Sequence, residues 1–185
     1  TRTGYDIPIH VDAASGGFIL PFIAPDVKWD FRLKWVVSIS TSGHKYGLVY
    51  PGLGWVVWRD KSFLPEEMNF SVNYLGSEIY QVGLNFSRPA AQILGQYYNF
   101  IRLGFEGYKK VQKESMALAK YLWDEIGKMP QFKNYAKEVV NPLFIWHMDP
   151  EYNKTAKWTL YDLQNSLQQS GWMVPAYTLP NNLTD

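Results

Sequence analysis

Lys45, in Ser42-Gly43-His44-Lys45-Tyr46-Gly47, and Asp12, in His10-Val11-Asp12-Ala13-Ala14-Ser15-Gly16-Gly17, are the two residues whose types and setting suggest chemistry. A lysine amine condenses with an aldehyde to form a Schiff base, and a carboxylate beside a pyridine nitrogen keeps that nitrogen protonated. A pyridoxal phosphate enzyme requires both groups. The separation of 33 residues, from 12 to 45, suits such a pair.

Each residue also has an ordinary interpretation. An isolated aspartate ahead of Ala13 and Ala14 is more often a turn or cap residue, and an isolated lysine is usually a solvated charge. The surroundings of Lys45 favour a cofactor anchor. Gly43 and Gly47 bracket it and permit close backbone approach, while Ser38, Ser40, Thr41, Ser42 and His44 can donate to phosphate oxygens. Ser42 and His44 are the first phosphate candidates, against the plainer roles of an N-cap serine and a packed histidine. A second polar turn, Asn85-Phe86-Ser87-Arg88-Pro89, opens a helix whose free N–H groups suit phosphate, and Ser87 could add a ligand there. A simple helix cap at Asn85 or Ser87 accounts for that turn equally well.

The elements that must hold these residues alternate between strand and helix. Ile7–Val11 forms a short strand with a small-residue turn after it, Phe18–Ala24 a short helix or irregular buried segment broken by Pro21, Trp35–Ser40 a second strand and Gly54–Trp58 a third. From Pro89 the positions Ile93, Tyr97 and Ile101, with Leu94 and Tyr98 beside them, recur at helical spacing, and Gly104 and Gly107 weaken or kink that helix. A second helical stretch carries Val111, Leu118, Leu122 and Ile126 and closes at Gly127 and Pro130. Leu143–Met148 is expected as a strand, Thr159–Gln169 as a helix with a Thr159/Asp162 capping pair and Gly171 past its end, and Trp172–Ala176 as a last strand.

Composition bounds the function. A net charge of +1, from 18 basic and 17 acidic residues, gives no field that would attract nucleic acid or a membrane surface. No apolar run reaches the roughly 20 residues of a membrane span. The absence of cysteine removes disulfides and thiol chemistry and fits a cytoplasmic setting. His10, His44 and His147 are too few and too scattered for a metal cluster, so no metal site is expected. Aromatic residues at 17%, with eight tryptophans among them, suit a large core or a subunit interface. The chain opens at Thr1-Arg2-Thr3-Gly4 without methionine and stops abruptly at Asp185, which suggests a fragment.

Four runs taken together resemble the bacterial and plant glutamate decarboxylases, within the group II pyridoxal-phosphate-dependent decarboxylases: His10–Gly17, Ser42–Gly47, Gly54–Arg59 and Asn85–Pro89. The resemblance implies an α/β chain of the fold-type I transferase-like class, with residues 1–115 as the second part of the large cofactor domain and 116–185 as part of a small α+β C-terminal domain. It implies that Lys45 carries the Schiff base, that Asp12 pairs with the pyridinium nitrogen, that Ala14 packs against the ring and that Ser42 and His44 bind the phosphate. Phe86 and Ser87 would reach the phosphate of a neighbouring subunit, which makes the protein a homodimer or dimer-based oligomer. Tyr74 would match a tyrosine on a mobile loop over the site. The implied reaction converts L-glutamate to 4-aminobutanoate and carbon dioxide and consumes one proton. The family draws its distal-carboxylate pocket and its α-carboxylate arginine from sequence outside this segment, so the segment alone is expected to be inactive. A decarboxylase of an aromatic or basic amino acid, or a non-catalytic assembly subunit, stays open as an alternative.

Overall fold

The computed structural model describes residues 4–68, 70–74, 77–81 and 88–178. The chain divides into two compact units, Thr1–Glu114 and Ser115–Asp185.

In the first unit, β1 (Ile9–Asp12), β2 (Val36–Ser42) and β3 (Gly54–Trp58) form one sheet in the order β1-β2-β3. β1 and β2 run parallel with Asp12 opposite Ser40, and β2 and β3 run antiparallel with Ser42 opposite Gly54. A parallel pair needs a long crossover. Here it contains a single turn of 3-10 helix at Gly16–Phe18 and a short helix α1 (Leu20–Ile23). Arg59 ties the crossover to the sheet by donating to the carbonyls of Phe31, Leu33 and Val36. Ala13, Val36 and Ile39 form the buried centre, and Val11, Trp29 and Phe31 pack against it. β4 (Phe70–Tyr74) and β5 (Ser77–Gln81) make a separate antiparallel pair. The sequence reading did not include this pair, although Phe70-Ser71-Val72-Asn73-Tyr74 alternates apolar and polar residues with a strand's period of two.

α2 (Ala91–Gly127) bears out the helical periodicity from Ile93 onward, and Gly104 breaks it with φ 58° and ψ −168°. That region of backbone space is accessible essentially to glycine alone. Leu94, Tyr97, Tyr98 and Ile101 are 62–67% exposed, whereas Gln96 and Gln112 are fully buried. Around the break, Phe100, Phe105 and Tyr108 pack their rings on Phe18 and Phe22.

In the second unit β6 (Phe132–Asn134) pairs antiparallel with β7 (Trp146–Met148). The strand expected over Leu143–Met148 is therefore shorter, with only an isolated bridge between Asn141 and Leu143 ahead of it. α3 (Pro150–Asn153) is capped by Asp149, whose carboxylate accepts from the amides of Glu151 and Tyr152. α4 (Leu160–Gln169) begins with the expected capping box between Thr159 and Asp162. It ends in a Schellman turn: the amide of Trp172 donates to Leu167 O at 2.9 Å and that of Gly171, at φ 84°, to Gln168 O at 3.0 Å. Trp172–Ala176 is not a strand. No ladder partner lies beside it among the described residues, and the amide of Ala176 donates to the side chain of Gln164 instead.

Candidate active site

The parallel register of β1 and β2 brings the carboxyl ends of both strands to one edge, the position at which open α/β sheets bind ligands. Asp12 is the last residue of β1, and Lys45 lies three residues beyond the end of β2, in the connection to β3. The ladder continues past Asp12: the amide of Ala13 donates to Ser40 O at 2.8 Å and the amide of Ser42 to Ala14 O at 3.2 Å. Asp12, Ala14 and Ser42 thus share this edge, and Lys45 follows on a turn closed by its own amide donating to Ser42 O.

Asp12 fulfils its ordinary local role and keeps capacity for another. Its Oδ1 accepts from the Ala14 amide at 3.0 Å, an Asx turn that fixes the rotamer, and from the Ser40 hydroxyl at 3.5 Å. Oδ2 has no partner among the described residues. The exposed Lys45 amine likewise makes no hydrogen bond or ion pair there. The Ser42 hydroxyl is also unengaged. His44 binds Leu53 O through Nδ1 at 2.7 Å. Since a carbonyl can only accept, Nδ1 carries the proton, and Nε2 can donate to a phosphate oxygen only when the ring is the imidazolium. A free amine, a free carboxylate oxygen, a hydroxyl and a ring nitrogen at the ends of adjacent parallel strands are the donor and acceptor set that a pyridine aldehyde phosphate needs. The residues fit that group.

Tyr74, expected on a mobile loop over the site, is the last residue of β4 and stands opposite Ser77 of β5. Phe86 and Ser87, and Asn85 with them, lie outside the described residues.

The glycines that bracket Lys45 have a different role from the one their positions suggested. A Cβ on Gly43 would overlap Gln96 Oε1, and one on Gly47 would stand 2.5 Å from Gly43 O and 2.8 Å from Gln96 Oε1. The glycines make room for a glutamine from α2.

Gln96 is one of several residues that local sequence patterning left undetected. Its Nε2 donates to Gly47 O at 2.8 Å and to the Tyr108 hydroxyl at 2.9 Å, and that hydroxyl donates to Gly47 O at 2.8 Å. Gln112 Nε2 donates to Tyr46 O at 2.9 Å and Asn99 Nδ2 to Leu48 O at 2.6 Å. Burial raises the Tyr108 hydroxyl above the ordinary tyrosine value and so favours the neutral donor, an effect partly countered by the Gln96 bond. His10 was also missed: Nδ1 lies 2.8 Å from the Ser38 hydroxyl and Nε2 3.2 Å from that of Ser40, the serine that reaches Asp12. The signal for His10 was the strand register, which places it two residues before Asp12 on the same face.

Comparison with known proteins bears on the family. The family model described as the pyridoxal-dependent decarboxylase conserved domain matches residues 2–148. The chain is 53% identical over 183 residues to glutamate decarboxylase beta of Listeria innocua, covering 99% of this chain and 39% of that protein. It is 52% identical over 179 residues to the glutamate decarboxylase of Solanum lycopersicum, covering 97% of this chain and 35% of that one. The solved glutamate decarboxylase of Lactobacillus brevis superposes with a TM-score of 0.85 at 51% identity, covering 96% of this chain and 40% of that chain. The chain thus spans about two fifths of the length of these relatives. With its Asp12 and Lys45 carried at the ends of adjacent parallel strands, the chain belongs to the pyridoxal-dependent decarboxylase family.

Proposed function

We propose that the protein containing this chain uses pyridoxal 5′-phosphate to remove the α-carboxylate of L-glutamate, giving 4-aminobutanoate and carbon dioxide. The observation that carries this reading is the placement of Asp12 and Lys45 at the carboxyl ends of β1 and β2, each with an unengaged functional atom. Glutamate as substrate is supported by identity of about half to proteins named glutamate decarboxylase, over nearly the whole chain. The bound cofactor supplies the sink for the electron pair released when the carbon–carbon bond breaks. Lys45 holds the cofactor through its amine. Asp12 Oδ2 keeps a proton on the pyridine nitrogen and so holds positive charge where electrons accumulate. Ser42 and His44 bind the phosphate, His44 with its Nδ1 donating to Leu53 O and its Nε2 left for the phosphate. Ala14, fixed between Asp12 and Ser42, sits against the ring. Tyr74 on its hairpin, and Phe86 and Ser87 of an adjoining subunit, complete the site in this reading.

Residues 1–115 then form the second portion of the large cofactor domain and 116–185 part of a smaller C-terminal domain, a division that the compact units support. Self-association as a dimer or dimer-based oligomer belongs to the same reading, with the exposed Leu94, Tyr97, Tyr98 and Ile101 available to be covered by a second copy or by other parts of the longer protein. Among the described residues no helix is long and apolar enough to cross a membrane, which agrees with a cytoplasmic enzyme.

An assay of the full-length protein against glutamate and a panel of aromatic and basic amino acids tests the reaction. Release of carbon dioxide from glutamate is expected, and Asp12→Asn should lower kcat by roughly a hundredfold or more, the usual consequence of removing an electrostatic stabiliser of developing charge. Turnover of an aromatic amino acid with none of glutamate would refute the substrate assignment.

A further inference from the structure

The three carbonyls that follow Lys45 are all held from α2. Tyr46 O is taken by Gln112, Gly47 O by both Gln96 and Tyr108, and Leu48 O by Asn99. Three features make this more than ordinary packing. Leu48 has φ 63°, a left-handed conformation that a leucine keeps only when its surroundings impose it. Gln96 and Gln112 are completely buried, and among the described residues each is bonded through Nε2 while its Oε1 has no partner. Gly43 and Gly47, on either side of Lys45, are the positions at which a side chain would collide with Gln96.

We propose that Gln96, Asn99, Tyr108 and Gln112 are positioning residues for Lys45: a set of donors on α2 that locks the turn carrying the lysine so that its amine starts from a fixed backbone. The proposal rests on Lys45 as the residue that holds the cofactor. A lysine side chain has several rotatable bonds, so the reach of its amine toward a fixed aldehyde depends on where its Cα is anchored, and errors of about 1 Å at a reacting atom cost rate steeply. The clamp acts on carbonyls and not on the lysine itself, which leaves the amine free to react.

The test uses the full-length protein stripped of cofactor and then mixed with pyridoxal phosphate. Tyr108→Phe removes one donor to Gly47 O with little change in shape, and Asn99→Ala frees Leu48 O at a partly exposed position that a folded protein tolerates. Two spectroscopic readouts report on the lysine apart from turnover: the rate at which the visible Schiff-base band appears, and the induced circular dichroism of that band, which measures how rigidly the linkage is held. Each variant is expected to form the band roughly three- to tenfold more slowly, the factor for one lost net hydrogen bond, and with weaker dichroism. The double variant should be slower than either single one. If thermal stability falls while rate and dichroism stay at wild-type values, the residues are merely structural and the proposal is overturned. If wild-type protein forms no band, or borohydride fixes the cofactor elsewhere than Lys45, the assignment of Lys45 fails and the proposal with it; a normal wild type beside indistinguishable variants refutes the positioning role alone.

Discussion

At the scale of single residues, Gly43 and Gly47 are required for space and not for backbone conformation, since neither has a positive φ. Gly43→Ala would force its Cβ onto Gln96 Oε1, whose amide is buried and engaged twice through Nε2, so the obstacle cannot swing away freely. The expected cost is about 1–3 kcal/mol, the range for an overpacked interior. Gly47→Ala meets a backbone carbonyl, Gly43 O, and should cost more. Denaturant titration of both variants checks the order, and Gln96→Ala combined with Gly43→Ala should recover part of the Gly43→Ala loss in a double-mutant cycle. The proposal for this turn could be made locally, because a lysine between glycines and hydroxyls at the end of an apolar strand is an uncommon surface loop. The reason for the glycines was not legible, since it depends on a side chain that arrives from another element far along the chain.

At the scale of elements, the break at Gly104 makes the clamp possible. In a straight helix Gln96 and Tyr108, twelve residues apart, would be separated by about 18 Å along the axis. Their side chains are instead bonded at 2.9 Å and share Gly47 O. The chain must therefore change direction between them, and Gly104 supplies the only non-helical residue inside α2. Gly104→Ala would hold an alanine in a region of backbone space that costs about 1–3 kcal/mol. The expected outcome is a less stable first unit with faster amide exchange at Val49, whose amide donates to Gly43 O across the lysine turn; unchanged exchange there would contradict the coupling. Gly104 was visible in the sequence as a weak point in a helical pattern. Which residues of α2 meet the lysine turn was not, because local periodicity marks Leu94, Tyr97 and Ile101, whereas the contacts are made by Gln96, Asn99 and Gln112. Side-chain caps were the most legible features: Thr159, Asp162 and Gly171 act locally, so a short stretch of sequence contains the whole interaction. The Trp172–Ala176 strand failed for the converse reason, because strand formation needs a partner that local sequence does not specify.

At the scale of the whole molecule, the second compact unit responds to acid through two identifiable carboxylates. In the second unit the hydroxyl of Thr159, then its amide, hold Asp162 below the ordinary aspartate value of 3.8. Lys133, then the amides of Tyr152 and Glu151, hold Asp149 below it too. A carboxyl with a lowered native value binds fewer protons folded than unfolded, so its stabilisation is complete above the unfolded value near 3.8 and is lost as pH falls through the lower native value. Asp162→Ala should accordingly speed amide exchange in α4 relative to wild type at neutral pH, and the difference should shrink toward zero well below pH 3.8. A difference that persisted at low pH would show that the carboxylate charge is not what holds the helix start. Asp12 and Lys45, the residues of the proposed chemistry, both lie in the first unit, Thr1–Glu114. Borohydride reduction of the full-length protein loaded with pyridoxal phosphate, followed by peptide mapping, tests that proposal most directly: the cofactor should be fixed on Lys45 and lost from the map in Lys45→Ala, whereas a label on any other lysine, or none at all, would contradict it.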